Sequence, residues 1–303
     1  MLRSALLALS RQSWLRHWVE TSKLSKKVTA RFVAGETLQQ ELAVCRKLEA
    51  EKIYATLDHL GENVTSLAEA EASRGSYLEA LDRIHSDGLA ATISVKLTQL
   101  GLNLSESACL ANAEMLVTRA KEIGSRVEFD MESSAYTDRT LAIVTDLHRR
   151  LGSVRVAIQA YLYRSDPDIE RLSLQGIPLR LCKGAYSEPV TAAFPQKADV
   201  DANYIRLMKR LLDGGAYPAI ASHDERILDE ARRYATERSI ASDSFEFQML
   251  YGIRRDLQRA LVRDGYRVRL YVPYGNAWYP YFMRRLAERP ANLIFLARNF
   301  FRK

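Results

Sequence analysis

Tyr271-Val-Pro-Tyr-Gly-Asn-Ala-Trp-Tyr-Pro-Tyr-Phe-Met-Arg-Arg-Leu-Ala-Glu288 reads as a strand, a glycine turn and a helix, one strand-to-helix unit near the end of a 303-residue chain. On a helix, Tyr281, Arg284, Arg285 and Glu288 fall at i, i+3, i+4 and i+7 and share one face, while Phe282, Met283, Leu286 and Ala287 take the other. The segment therefore has an apolar side for a core and a charged side. Adjacent guanidinium forks suit a carboxylate or a phosphate, and tyrosines beside them can wall a small ring. A solvated charged face produces the same pattern.

Upstream, apolar, β-prone runs alternate with helical patterns. Candidate strands are Tyr54 to Leu60, Ala91 to Leu97, Arg126 to Met131, Arg155 to Tyr161, Pro178 to Lys183, Pro218 to His223, Phe245 to Leu250 and Arg267 to Val272. Between them Glu106 to Gly124, Thr137 to Leu151, Ala202 to Gly214, Asp224 to Ser239 and Arg254 to Gly265 carry amphipathic spacing. Eight strands separated by crossover helices predict α/β architecture, a closed parallel (β/α)8 barrel of the TIM type. An open doubly wound sheet would need a G-x-G-x-x-G after an early strand, and the chain has none. Residues 1–50 read as an N-terminal helical segment, with Ser22 to Arg31 and Thr37 to Glu51 as its helices, and residues 51–303 as the barrel catalytic domain.

Forty-four Lys and Arg against 37 Asp and Glu leave a net charge of +7. The basic residues are dispersed among acids, and no zinc spacing or RNA-binding aromatic signature accompanies them, so nucleic acid is not an expected partner. Cys45, Cys109 and Cys182 form no C-x-x-C or metal spacing, which fits a reducing cytoplasm and predicts no metal. Residues 1–27 carry Arg3, Arg11, Arg16, Lys23, Lys26 and Lys27 against Glu20, with leucines and tryptophans between. That composition suits an interfacial or targeting helix as well as an ordinary first helix, and its apolar run is too short to span a bilayer.

Seven motifs in order, Ser94-Val-Lys-Leu-Thr, Phe129-Asp-Met-Glu, Ile158-Gln-Ala-Tyr, Leu179-Arg-Leu-Cys-Lys-Gly-Ala-Tyr186, Ser222-His-Asp, Phe245-Glu-Phe-Gln-Met-Leu-Tyr-Gly252 and Tyr281-x-x-Arg-Arg285, resemble the proline dehydrogenase family over roughly residues 54–290. The resemblance is to monofunctional bacterial members. With the chain ending at Lys303, only the first of the two reactions of the family's bifunctional enzymes is expected. It implies FAD-dependent oxidation of L-proline to Δ1-pyrroline-5-carboxylate, with electrons passed to a membrane quinone at the cytoplasmic, inner face of the membrane. The rival readings, an aldolase-type barrel with Lys96 as Schiff base or a phosphate-binding barrel, use the same residue types.

Residue by residue, the resemblance implies that Arg284 and Arg285 clamp the proline carboxylate, Lys96 adds a third cationic contact, and Tyr271 with Tyr281 shapes the pocket. Asp130 and Arg180 are the implied catalytic pair, Asp130 holding the cations and Arg180 lying near the isoalloxazine. Met131, Gln159, Arg180, Lys183, Gly184, Ala185, Ser222 and His223 match flavin-binding positions, with Tyr186 and Glu288 as outlying contacts. Ser222 stands where relatives often carry threonine, and Cys182 needs no redox role. Tyr271, placed at the end of the eighth strand, matches a position that is tyrosine in proline-specific members and smaller in hydroxyproline-oxidising ones.

Overall fold

The computed structural model describes residues 31–61, 64–281 and 283. After α1 (Leu38–Ala50), β1 (Tyr54–His59), α2 (Leu67–Ser86), β2 (Ala91–Val95), α3 (Glu106–Glu122), β3 (Val127–Phe129), α4 (Thr137–Leu151), β4 (Val154–Gln159), α5 (Ser165–Leu174), β5 (Leu179–Cys182), α6 (Lys197–Gly214), β6 (Ala219–Ala221), α7 (Glu225–Glu237), β7 (Glu246–Leu250), α8 (Arg255–Arg263) and β8 (Arg267–Tyr274) alternate without exception. Each strand pairs in parallel with the next, and β8 closes on β1, giving the eight-stranded barrel that the strand count predicts. The predicted α4 agrees end to end, whereas α6 begins five residues before its expected start. The expected helix at 22–31 lies outside the described residues apart from Arg31. No helix among the described residues is long and apolar enough to cross a membrane.

Local sequence starts these helices. Thr37 and Gln40 form a capping box at α1, and the Ser66 and Ser105 hydroxyls accept backbone N–H groups of the first turns of α2 and α3. Inside the strands the period-2 rule divides the residues cleanly. Leu57, Ile93, Phe129, Val156, Leu181 and Phe247 turn outward and are buried beneath the helices, where Leu81, Leu116, Leu147 and Leu211 meet them. Burying each such side chain contributes on the order of 1.5 to 3 kcal/mol.

The inward face is polar. Arg155 on β4, with no exposed surface, contacts Glu128 on β3 at 3.0 Å and Glu246 on β7 at 2.5 Å. Arg269 on β8 reaches Glu246 at 3.0 Å, and Gln248 donates to both carboxylates at 3.1 and 2.8 Å. The Thr56 and Thr92 hydroxyls, 2.7 Å apart, complete this layer, with Thr92 donating to Glu128. A barrel filled with branched aliphatics would gain more from transfer. This one instead holds charges whose partners must all stay in place, since breaking a buried pair costs about 3 to 5 kcal/mol. Burial pushes Glu246 up, but Arg269 and Arg155 outweigh it and hold the carboxyl below its ordinary range.

Glu41 on α1 behaves oppositely. It is fully buried, and burial, then the nearby Asp58 charge, raise its carboxyl well above the usual value. The native state therefore binds a proton that the unfolded chain releases above about pH 4.3. This contribution is complete below that pH and is lost as pH rises towards the folded-state value. Glu41→Gln is expected to be more stable than the parent at pH 8, with the difference shrinking towards pH 5. Chemical denaturation at both pH values checks it, and a pH-independent difference would contradict the assignment.

Candidate active site

Lys96 is the first residue beyond β2 and Asp130 the first beyond β3, where the Asp130 N–H still donates to Val95 O at 2.9 Å. The ladder thus fixes the backbone of Asp130 before its side chain is considered. Four groups converge on its carboxylate: Lys96 Nζ at 3.2 Å, the Tyr271 phenol donating at 2.7 Å, Ser94 Oγ at 2.7 Å, and Arg180 Nη2 in a short ion pair. Arg180 also reaches Glu128 at 3.3 Å, tying this layer to the charged one below. On the far side of Lys96, Asp58 of β1 lies 3.7 Å from Nζ and is 1% exposed.

These contacts set the charge states. Burial alone would raise the Asp130 carboxyl, but Arg180 and Lys96, with hydrogen bonds from Tyr271 and Ser94, hold it below the ordinary carboxylate range. Burial and the Asp130 charge push the Tyr271 phenol well up, so it remains a donor. Arg180 loses from burial and gains more from Asp130 and Glu128, so its charge is secure. Burial carries the Cys182 thiol up to about 11, which leaves it an unreactive neighbour at neutral pH. Two acids, Asp58 and Asp130, balance two bases, Lys96 and Arg180. A further anion arriving here therefore needs cations from elsewhere in the chain.

Around this cluster, Gln159 ends β4 and donates from Nε2 to Glu132 O at 2.8 Å. Ser222 and His223 follow β6. The Leu250 N–H donates to His223 Nε2 at 2.8 Å, which makes that nitrogen the acceptor and places the proton of the neutral ring on Nδ1. Lys183, after β5, is held by Asp201 at 2.5 Å and Asp224 at 3.2 Å. Gly184 has φ +113°, and a Cβ there would sit 2.3 Å from the Tyr161 ring. Only glycine lets the backbone pass so close, and Ala185 and Tyr186 continue the loop past it. Met131, two residues beyond the end of β3, is buried.

Tyr281, expected on the charged face of its helix, is buried in a satellite cluster with Phe32, Val33, Leu60, Trp278, Tyr279 and Met283. Arg284, Arg285 and Glu288 lie outside the described residues. Tyr271 is not at the end of β8, which continues through Pro273 and Tyr274. Proline lacks an N–H, yet it keeps its register with Asp58, and its carbonyl accepts the Ala34 N–H at 2.9 Å. The sequence reading assigns no role to Asp58, Ser94, Glu128 and Gln248, although Ser94 and Gln248 stand within the quoted motifs. Their signal was polar residues at two-residue intervals within apolar strands, the mark of a polar barrel interior.

The residues at the rim fit a flavin dinucleotide. Gln159, Ser222 and His223 are neutral hydrogen-bonding groups, Arg180 is a fixed cation, and the Gly184 turn gives close backbone approach.

Comparison with known proteins agrees with the barrel fold. The family model for proline dehydrogenase matches residues 41–298. A proline dehydrogenase of Deinococcus radiodurans is 42% identical over 271 residues, 88% of this chain and 87% of that one. Proline dehydrogenase 1 of Bacillus subtilis is 38% identical over 305 residues, the full length of both. Among solved structures, proline utilization A from Bdellovibrio bacteriovorus, inactivated by N-propargylglycine, superposes with a TM-score of 0.81 at 29% identity. It aligns with 87% of this chain, which spans about a third of that longer protein (33%). A barrel with this strand order and matches over nearly the whole length lead to one assignment: the chain belongs to the proline dehydrogenase family.

Proposed function

We propose that the protein oxidises L-proline to Δ1-pyrroline-5-carboxylate, the first step of proline catabolism to glutamate, with FAD as its cofactor and a membrane quinone as the final acceptor. The observation that carries this reading is the Lys96–Asp130–Arg180–Tyr271 cluster at the carboxyl ends of the strands of a family member. Gln159, Lys183, Gly184, Ala185, Ser222 and His223 would hold the cofactor, with Met131 and Tyr186 beside them and Glu288 as an outlying contact. FAD, when bound, supplies a two-electron acceptor that takes hydride at N5.

The chain's own residues do the rest. Lys96, with Arg284 and Arg285 by resemblance, would bind the substrate carboxylate and fix the ring. Proximity of that kind is a large part of what an enzyme contributes to such a transfer. Asp130 would hold Lys96 and Arg180 in register rather than handle a proton, since those cations keep its carboxyl below the ordinary range. Cations around the carboxylate favour loss of the substrate's ammonium proton, which must leave before the nitrogen lone pair can drive hydride departure. Arg180 would offset negative charge on the reduced cofactor. A Schiff-base role for Lys96 is disfavoured by the two carboxylates that hold it as an ammonium. The basic segment 1–27, outside the described residues, is the proposed contact with an anionic membrane surface and hence with the quinone.

The purified protein is expected to be yellow, to bleach anaerobically on adding L-proline, and to release its flavin non-covalently on heating. A colourless protein that FAD does not reconstitute, or a flavin spectrum indifferent to proline, would remove this reading.

A further inference from the structure

The amino-terminal mouth of the barrel, opposite the candidate active site, is cationic. A cavity of about 420 Å³ opens there, lined among others by Tyr54, Thr92, Ser125, Arg126 and Arg269. A second of about 330 Å³, reaching towards His148 and Ser153, shares Gly124, Ser125 and Arg126 with it. Arg126 stands in the wall common to both.

Four guanidiniums converge here. Arg126, Arg155 and Arg267 approach the Tyr217 ring with Cζ 5.8, 5.4 and 5.6 Å from its centroid, and Arg269 lies 5.2 Å from that of Tyr54. Glu128 and Glu246 are taken by Arg155 and Arg269, and Asp243 lies 3.7 Å from Arg267. Arg126 makes no salt bridge among the described residues and has only the Tyr217 ring beneath it. Burial, then the like charges of Arg155 and Arg269, work against its charge, and Glu128 and Glu246 only partly offset them. A half-buried cation short of a counter-ion at the junction of two cavities is an arrangement that an anion completes.

We propose that this mouth binds a small multivalent oxyanion, a phosphorylated or polycarboxylate metabolite, with its charged group on Arg126 and its body in the larger cavity beside Arg269 and Tyr54. The size supports an organic ligand over a bare ion, because 420 Å³ equals the liquid volume of about fourteen waters. The amino-terminal face of such barrels ordinarily serves stability, so the competing role for Arg126 is simple packing on Tyr217.

The test uses the full-length protein with its native cofactor content and follows thermal unfolding in sodium phosphate, trisodium citrate or sodium chloride at equal ionic strength. At about 100 times Kd, an ion that binds should raise Tm by roughly 3 to 6 °C relative to chloride. Phosphate acting alone assigns a phosphorylated ligand, and citrate alone a polycarboxylate. Arg126→Gln should abolish the rise while proline turnover stays within twofold of the parent. Arg149→Gln, on the exposed face of α4, should keep the rise. If Arg126→Gln does not fold, Ser125→Asp, which sets a carboxylate beside Arg126, should abolish it instead. No rise in the parent with either anion, or an equal rise in parent and Arg126 or Ser125 variant, overturns the proposal.

Discussion

Asn in place of Asp130 is expected to lower kcat/KM for L-proline by roughly 30-fold to 1000-fold. The substitution preserves shape but replaces one acceptor oxygen with an NH2 group, in a position where Lys96, Arg180, Tyr271 and Ser94 all approach. At least one donor then faces another donor, and both cations lose the charge that holds them. Charge-assisted contacts contribute about 1.5 to 3 kcal/mol each, so losing one and weakening a second gives about 2 to 4 kcal/mol at the transition state. Glu128 still anchors Arg180, which should limit the damage to flavin binding. Lys96 keeps only Asp58 at 3.7 Å, so KM should rise more than flavin content falls. Steady-state kinetics alongside flavin absorbance separates the two. A variant within fivefold of the parent would show that Asp130 is a structural ion-pair member alone.

The same residue shows how far the sequence can be read. The eight strands and α4 followed from periodicity, because strand and helix periods are local properties of ten or so consecutive residues. Lys96 and Asp130 are charges at the ends of apolar runs, and they do meet. The layer beneath them was not legible, because its pairs are far apart in sequence: Arg155 and Glu246 are separated by 91 residues, and Gln248 and Glu128 by 120. Nothing local says that these charges face one another across a closed interior. Glu41 sits beside Gln39 and Gln40 and reads as a solvated helix acid, yet it is fully buried. Tyr281 is buried as well, while Arg284 and Arg285 lie outside the described residues. Its spacing groups it with those arginines, and its aromatic body buries readily without the phenol forcing it to the surface.

Wild-type protein should prefer L-proline over trans-4-hydroxy-L-proline by tens to hundreds of fold, and Tyr271→Ser should narrow that gap mainly by losing proline activity. The Tyr271 ring is tightly held. Its hydroxyl donates to Asp130 at 2.7 Å, and the Arg180 guanidinium lies 5.8 Å from its centroid, so the side chain is fixed at both tip and face. A ring pinned in this way cannot swing aside for a substituent at C4, so the added hydroxyl must displace a side chain that is itself part of the charge cluster. Packing discriminates one extra heavy atom by about 1 to 3 kcal/mol, which sets the predicted range. Serine opens the space but removes the wall that positions proline and one donor to Asp130. Tyr271→Phe separates these effects. It keeps the wall and loses only a hydrogen bond to a charged acceptor, about 1.5 to 3 kcal/mol, so proline efficiency should fall roughly tenfold or more while the preference survives. Ratios of kcat/KM for the two substrates in the three proteins decide it. Equal efficiencies in the parent, or a preference that persists in Tyr271→Ser, would place the C4 gate on another residue.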